Sequence, residues 1–185
     1  VHLWDPSHFR MSWLDGVPLL DKAYGLAEYR AHAADIAIEG IVYVEVDVNP
    51  HYALLEAKWA ADRAQEDPRL LGIVAHAPLE YGERVRAYLD ALVVIGSRIK
   101  GVRRLVQDES DERFSLRPDF VRGVQLLAEY GLSCDIGIRH NQLASASELV
   151  RLCPDTAFIL DHLGKPAIKA HELDPWRDQI QELAS

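Results

Sequence analysis

Five short β-branched runs, Ile41–Val46, Leu70–His76, Ile99–Val106, Ser133–Ile138 and Thr156–Asp161, recur at roughly thirty-residue intervals. Between them lie segments whose apolar residues repeat with helical period, such as Leu26/Tyr29/Ala33/Ile36, Val85/Tyr88/Leu89/Leu92 and Phe120/Val124/Leu127. Each presents one apolar stripe to a core. Strand followed by helix, repeated along the chain, predicts a parallel sheet covered by helices. With Val1–Leu3 read as a first strand and Leu173–Leu183 as a last helix, six such units are expected. The punctuation agrees: Glu66-Asp67-Pro68 ends one helix, and Gly131, after Tyr130, suits a left-handed C-cap before the next strand.

A parallel sheet of this kind closes into a (β/α)8 barrel or stays open and doubly wound, and periodicity does not separate the two. No GxGxxG turn and no GxxxxGK[ST] loop occurs anywhere, which disfavours an open nucleotide-binding sheet. Polar residues instead collect where the strands end: Glu45 and Asp47, His76, Arg103 and Arg104, Arg139 and His140, Asp161 and His162. Strand ends form the active face of a TIM barrel. The expected fold is therefore an α/β TIM barrel, with residues 1–185 as one partial domain. Six units are two short of eight, and the chain opens on Val1-His2-Leu3-Trp4 without an initiator Met, so truncation at both ends is expected.

The formal charge of −9 argues against a general nucleic-acid binder, and no apolar run approaches the roughly 20 residues of a membrane span. Cys134 and Cys153 form no CxxC pattern, which reads as reduced packing thiols in a cytoplasmic protein. A small-molecule substrate is the expected partner, with a homo-oligomer left open.

Phe158 to Pro166 reads as a buried strand delivering His162 at its tip before a sharp Gly-Lys-Pro turn. An imidazole there donates to a carbonyl oxygen, binds a metal, or merely caps the strand. His2, in His2-Leu3-Trp4-Asp5-Pro6, ends the first strand and would face His162 across a barrel mouth. Of Arg103 and Arg104, adjacent on one strand, only one can point inward. The loop Arg139-His140-Asn141-Gln142-Leu143 either contacts substrate or caps the next helix. Glu45 and Asp47 suit ion pairing as well as catalysis. Trp4 and Trp13 either wall a pocket or pack the core, and His8, His32, His51 and His171 read as ordinary surface residues.

Three strings in order, His2-Leu3-Trp4-Asp5-Pro6, Ile99-Lys100-Gly101-Val102-Arg103 and Leu160-Asp161-His162-Leu163-Gly164-Lys165-Pro166, resemble the amidohydrolase-related metal-dependent hydrolase superfamily. The resemblance is to the branch of sugar-acid lactonases and 2-pyrone-4,6-dicarboxylate lactonase. It implies a hydrolase that opens a cyclic ester with activated water. His2 and His162 then flank the carbonyl as catalytic residues and are the only candidate metal ligands, the branch working with or without a divalent ion such as zinc. It favours Arg103, which matches the family's G-V-R string, for substrate binding, together with Arg139, His140 and Trp4. The family's first HxH histidine would fall before Val1, and its strand-eight Asp has no counterpart in residues 1–185, so this stretch alone is expected to be inactive. A metal-dependent decarboxylase of the same superfamily and a non-catalytic open α/β binding domain are the rival readings.

Overall fold

Parallel pairing begins where the sequence is most β-branched. In the computed structural model, which describes residues 1–184, β1 (Ile41–Val44) lies parallel to β2 (Leu70–His76), with Val44 opposite Val74. Contacts divide the chain into two units, the first being Val1–His76 with Asp90–Lys100, the second Ala77–Leu89 with the chain from Gly101 onward. Two elements, β3 (Ile99–Arg103) and the helix Arg86–Val94, run from one unit into the other.

In the first unit, Ile73 N donates to Arg98 O at 2.8 Å, carrying the ladder to the start of β3. Alongside are α1 (Leu26–His32) and α2 (Ala53–Glu66). α2 buries Ala53, Ala57, Ala60 and Ala64 against β2, small side chains at helical spacing that let the backbone approach the sheet. Glu56 is buried with them, and its Oε1 accepts from Tyr43 OH at 2.7 Å and Val46 N at 2.8 Å, tying α2 to the end of β1. α2 stops at Glu66, as Asp67-Pro68 predicts. The guanidinium groups of Arg69 and Arg30 then hold the Asp67 carboxyl well below the usual carboxylate range.

Val1–Leu3, expected as a first strand, is not one. Val1 N donates to Val42 O at 2.6 Å and Val44 N to Val1 O at 2.9 Å, a single parallel rung beside β1. Trp4 then pairs antiparallel with Tyr24. Asp5-Pro6 ends the extended chain, because His8 N and Phe9 N fold back onto Asp5 O. The described residues thus hold five strands instead of six.

The second unit contains the remainder of β3, then α4 (Pro118–Glu129), β4 (Ser133–Ile136), α5 (Leu143–Leu152), β5 (Phe158–Leu160) and α6 (Trp176–Leu183), with the helix Arg86–Val94 numbered α3. Gly101 to Arg103 pair with Ser133 to Asp135, and Cys134 to Ile136 with Phe158 to Leu160, all parallel. Within each unit, strand order follows chain order. Pro118 occupies the first turn of α4, where its missing N–H costs nothing, and Gly131 closes it at φ +65°. β3, β4 and β5 end three, two and one residues before their apolar runs do. α6 starts at Trp176, after Pro175, rather than at Leu173.

No helix among the described residues is long and apolar enough to cross a membrane. Cys134 and Cys153 are both buried free thiols whose pKa burial raises, as expected of packing residues.

Candidate active site

Register places Arg103 beside Asp135, and Asp135 beside Ile159, so Arg103, Asp135 and Asp161 share one face of the second unit's sheet. Gly101, Ser133 and Gly137 fall on that same face. Space there is made by glycine: a Cβ at Gly101 would come within 2.3 Å of Ser133 Oγ, and one at Gly137 within 3.3 Å of the Arg103 side chain. Into this space Arg103, 4% exposed, extends its guanidinium, whose Nη1 donates to Asp161 Oδ2 at 2.7 Å. Burial, and next the Asp161 charge, push the Asp135 carboxyl up to about 6, against the opposing effects of Ser133 Oγ and Arg103.

Arg104 points the other way. It pairs with Glu80 at 3.0 Å and Glu109 at 2.7 Å and lies over the Phe114 ring, which fixes it as a structural link to helical and loop carboxylates. Arg103 and Arg104 thus face opposite ways, as the strand argument requires.

Directly after β5, His162, Leu163, Gly164 and Lys165 have φ of +51°, +54°, +67° and +49°. Lys165 N closes this turn onto His162 O at 3.0 Å. His162 is exposed at its start, one residue beyond the anchored Asp161. Lys165 Nζ donates to Gln107 Oε1. Arg139 reaches the same segment, with Nε on Gln107 O at 3.2 Å and Nη2 on Asp108 Oδ1 at 2.6 Å. His140 belongs instead to the helix start: its Nδ1 is buried with no hydrogen-bond partner among the described residues. The loop's Gln142 caps, taking Arg139 N and donating to Val106 O. The Arg139 loop thus caps the next helix, one of the two roles the sequence left open.

His2 and Trp4 lie in the first unit. His2 Nδ1 donates to Val44 O at 2.9 Å, since a carbonyl only accepts. Both residues line a cavity of about 280 Å³ with Tyr24, Tyr29, Glu28 and His32. Trp4 stacks on Tyr24 at 4.5 Å and meets Trp13 edge-on at 5.5 Å, while its Nε1 donates to Leu20 O, so it combines wall and packing roles. Trp13 bonds Val46 O at 2.7 Å. Glu45 is buried and accepts from Asp47 N at 2.7 Å. His8, His32, His51 and His171 are all exposed, as read from the sequence.

A model of the amidohydrolase family matches residues 1–185. The chain belongs to the amidohydrolase family. An L-fucono-1,5-lactonase from Burkholderia multivorans is 28% identical over 139 residues, covering 70% of this chain and 45% of that one. Among solved structures, an amidohydrolase from the same species with bound zinc superposes with a TM-score of 0.83 at 23% identity, over 99% of this chain and 63% of that one. A probable 2-pyrone-4,6-dicarboxylic acid hydrolase from Acinetobacter baumannii, with citric acid bound, gives 0.74 at 14% identity, over 99% and 64%. This amidohydrolase chain thus spans about two thirds or less of those proteins, and it shares their α/β fold. Zinc in a relative raises the question of a metal here. Among the described residues, no three His, Cys, Asp or Glu side chains are grouped to hold one. The described donors do not fit a complete metal site, and the chemistry below uses the chain's own groups.

Asp135 is the residue that sequence reading missed. Its signal was a single charge inside the apolar run Cys134-Asp135-Ile136-Gly137-Ile138, legible only with the register to β3. Lys165, quoted as part of a turn, carries a charge into the same neighbourhood.

Proposed function

We propose that the protein is a hydrolase that opens the ring of a sugar-acid or carboxylated lactone. The observation that carries the reading is the buried Arg103–Asp161 pair at the ends of β3 and β5, which fixes the backbone from which His162 projects, in a chain of the amidohydrolase family. The lactonase relative and the pyrone hydrolase neighbour support an ester-ring substrate. In this reading water adds to the lactone carbonyl carbon as a carboxylate takes its proton. His162 donates to the oxygen as it gains negative charge. The ring C–O bond then breaks, the departing oxygen takes a proton, and a hydroxy acid results. Arg103, clamped by Asp161, is the cation this reading assigns to substrate binding.

In the whole protein, His162→Asn should lower turnover of lactones about 100-fold or more with an unchanged fold by circular dichroism. Hydrolysis within a factor of two of wild type would reduce His162 to a strand cap. Release of CO2 in place of a ring-opened acid would transfer the reading to a decarboxylase.

A further inference from the structure

Building on the lactone-hydrolase reading, we propose that Lys165 and Arg139, gathered by the Gln107–Asp108 segment, bind a carboxylate of the substrate, which is accordingly an anionic lactone rather than a neutral one. Both cations meet two consecutive residues: Lys165 Nζ donates to Gln107 Oε1, and Arg139 donates to Gln107 O and Asp108 Oδ1. Gln107 Nε2 in turn donates to Asp108 Oδ2 at 3.0 Å, which joins the two side chains that the cations meet. Among the described residues, Lys165 is the cation of this group without a carboxylate partner. Asp108 is taken by Arg139, and Asp161 by Arg103. Lys165 has a neutral amide as its side-chain partner and forms no ion pair among the described residues.

Half-buried, Lys165 also feels Arg139 and Arg103 more strongly than Asp108 and Asp161, and its pKa lies below the ordinary lysine value. An ammonium bonded once still has two N–H groups to give. A bound carboxylate would accept them, give Lys165 an anionic partner and share the exposed Arg139 guanidinium. A neutral sugar ring would accept the hydrogen bonds and leave the charge unmatched.

Two measurements test this. Calorimetric titration of the 185-residue chain with citrate should show binding. Lys165→Met should weaken it about tenfold or more, Lys165→Arg should keep most of it, and triethyl citrate, without charge, should not distinguish the variants. Arg139→Gln, at an exposed position, should weaken citrate binding several-fold and stands in if Lys165→Met loses its circular dichroism. Citrate affinity equal in wild type and these variants, or no citrate binding at all, overturns the proposal. In the whole protein, Lys165→Met should lower the ratio of kcat/KM for paraconate to that for γ-butyrolactone about tenfold or more. Hydrolysis of γ-butyrolactone without preference for paraconate keeps the hydrolase reading and overturns the anion site. Citrate binding that depends on Lys165, with neither lactone hydrolysed, supports the anion site and overturns the hydrolase reading.

Discussion

Arg103 is nearly inaccessible to solvent, and its partner Asp161 is 12% exposed at the side chain. Removing one member of such a pair strands the other charge in a poor solvent. Arg103→Met should therefore destabilise the protein by about 3–5 kcal/mol in urea unfolding, and adding Asp161→Leu should recover much of that loss. Additive losses in the double variant would mean that the two charges are not coupled. Asp135 behaves differently, because its ionised form is the disfavoured one. With a folded value of about 6 against an ordinary 3.8, the folded state holds the proton more tightly between those values. Stability then falls as pH rises through that window. Asp135→Asn removes the fall, so the variant should gain on wild type between about pH 4 and pH 7 in urea midpoints. A constant gap across that range would show that burial does not penalise the charge.

α4 packs so closely on the short turn Leu79–Val85 that a Cβ on Gly123 would lie 2.1 Å from Leu79 O. Backbone cannot yield as a side-chain tip does. Gly123→Ala, a gain of roughly 1 kcal/mol in helix propensity, should instead destabilise by about 2 kcal/mol or more, read as a lowered Tm. Elements of this kind were legible in the sequence to the extent that local rules govern them. Strand and helix alternation, the stop at Asp67-Pro68 and the Gly131 cap all follow from periodicity and backbone chemistry. So do the opposite directions of Arg103 and Arg104, which need only the pleat. Val1–Leu3 was misread because the Asp5-Pro6 turn outweighs a short apolar string. Asp135 and the Lys165–Gln107 contact were illegible for another reason: each depends on pairing between segments far apart in sequence, 58 residues for the latter, and no local pattern encodes that register.

At the scale of the molecule, β5 pairs with β4 and has no second strand partner among the described residues, and Ile159 on it is 50% exposed. Beside it, Phe158, Leu160, Leu163, Ile180 and Leu183 line an apolar groove of about 220 Å³. An open parallel edge with apolar flanks recruits another chain. The 185-residue chain should associate in sizing chromatography at micromolar concentration, and Ile159→Lys should shift it toward monomer. A monodisperse wild-type monomer would show that the edge is protected. Handedness gives the molecule a second asymmetry. Every α-helix in it is right-handed, yet His162 to Lys165 turn in the opposite sense, with three non-glycine residues where L stereochemistry is disfavoured. That turn is the mirror image of ordinary backbone, so its natural building block is the enantiomer. A semisynthetic protein with D-leucine at position 163 should be more stable than its all-L counterpart, whereas the same inversion within α4 would unwind a helix.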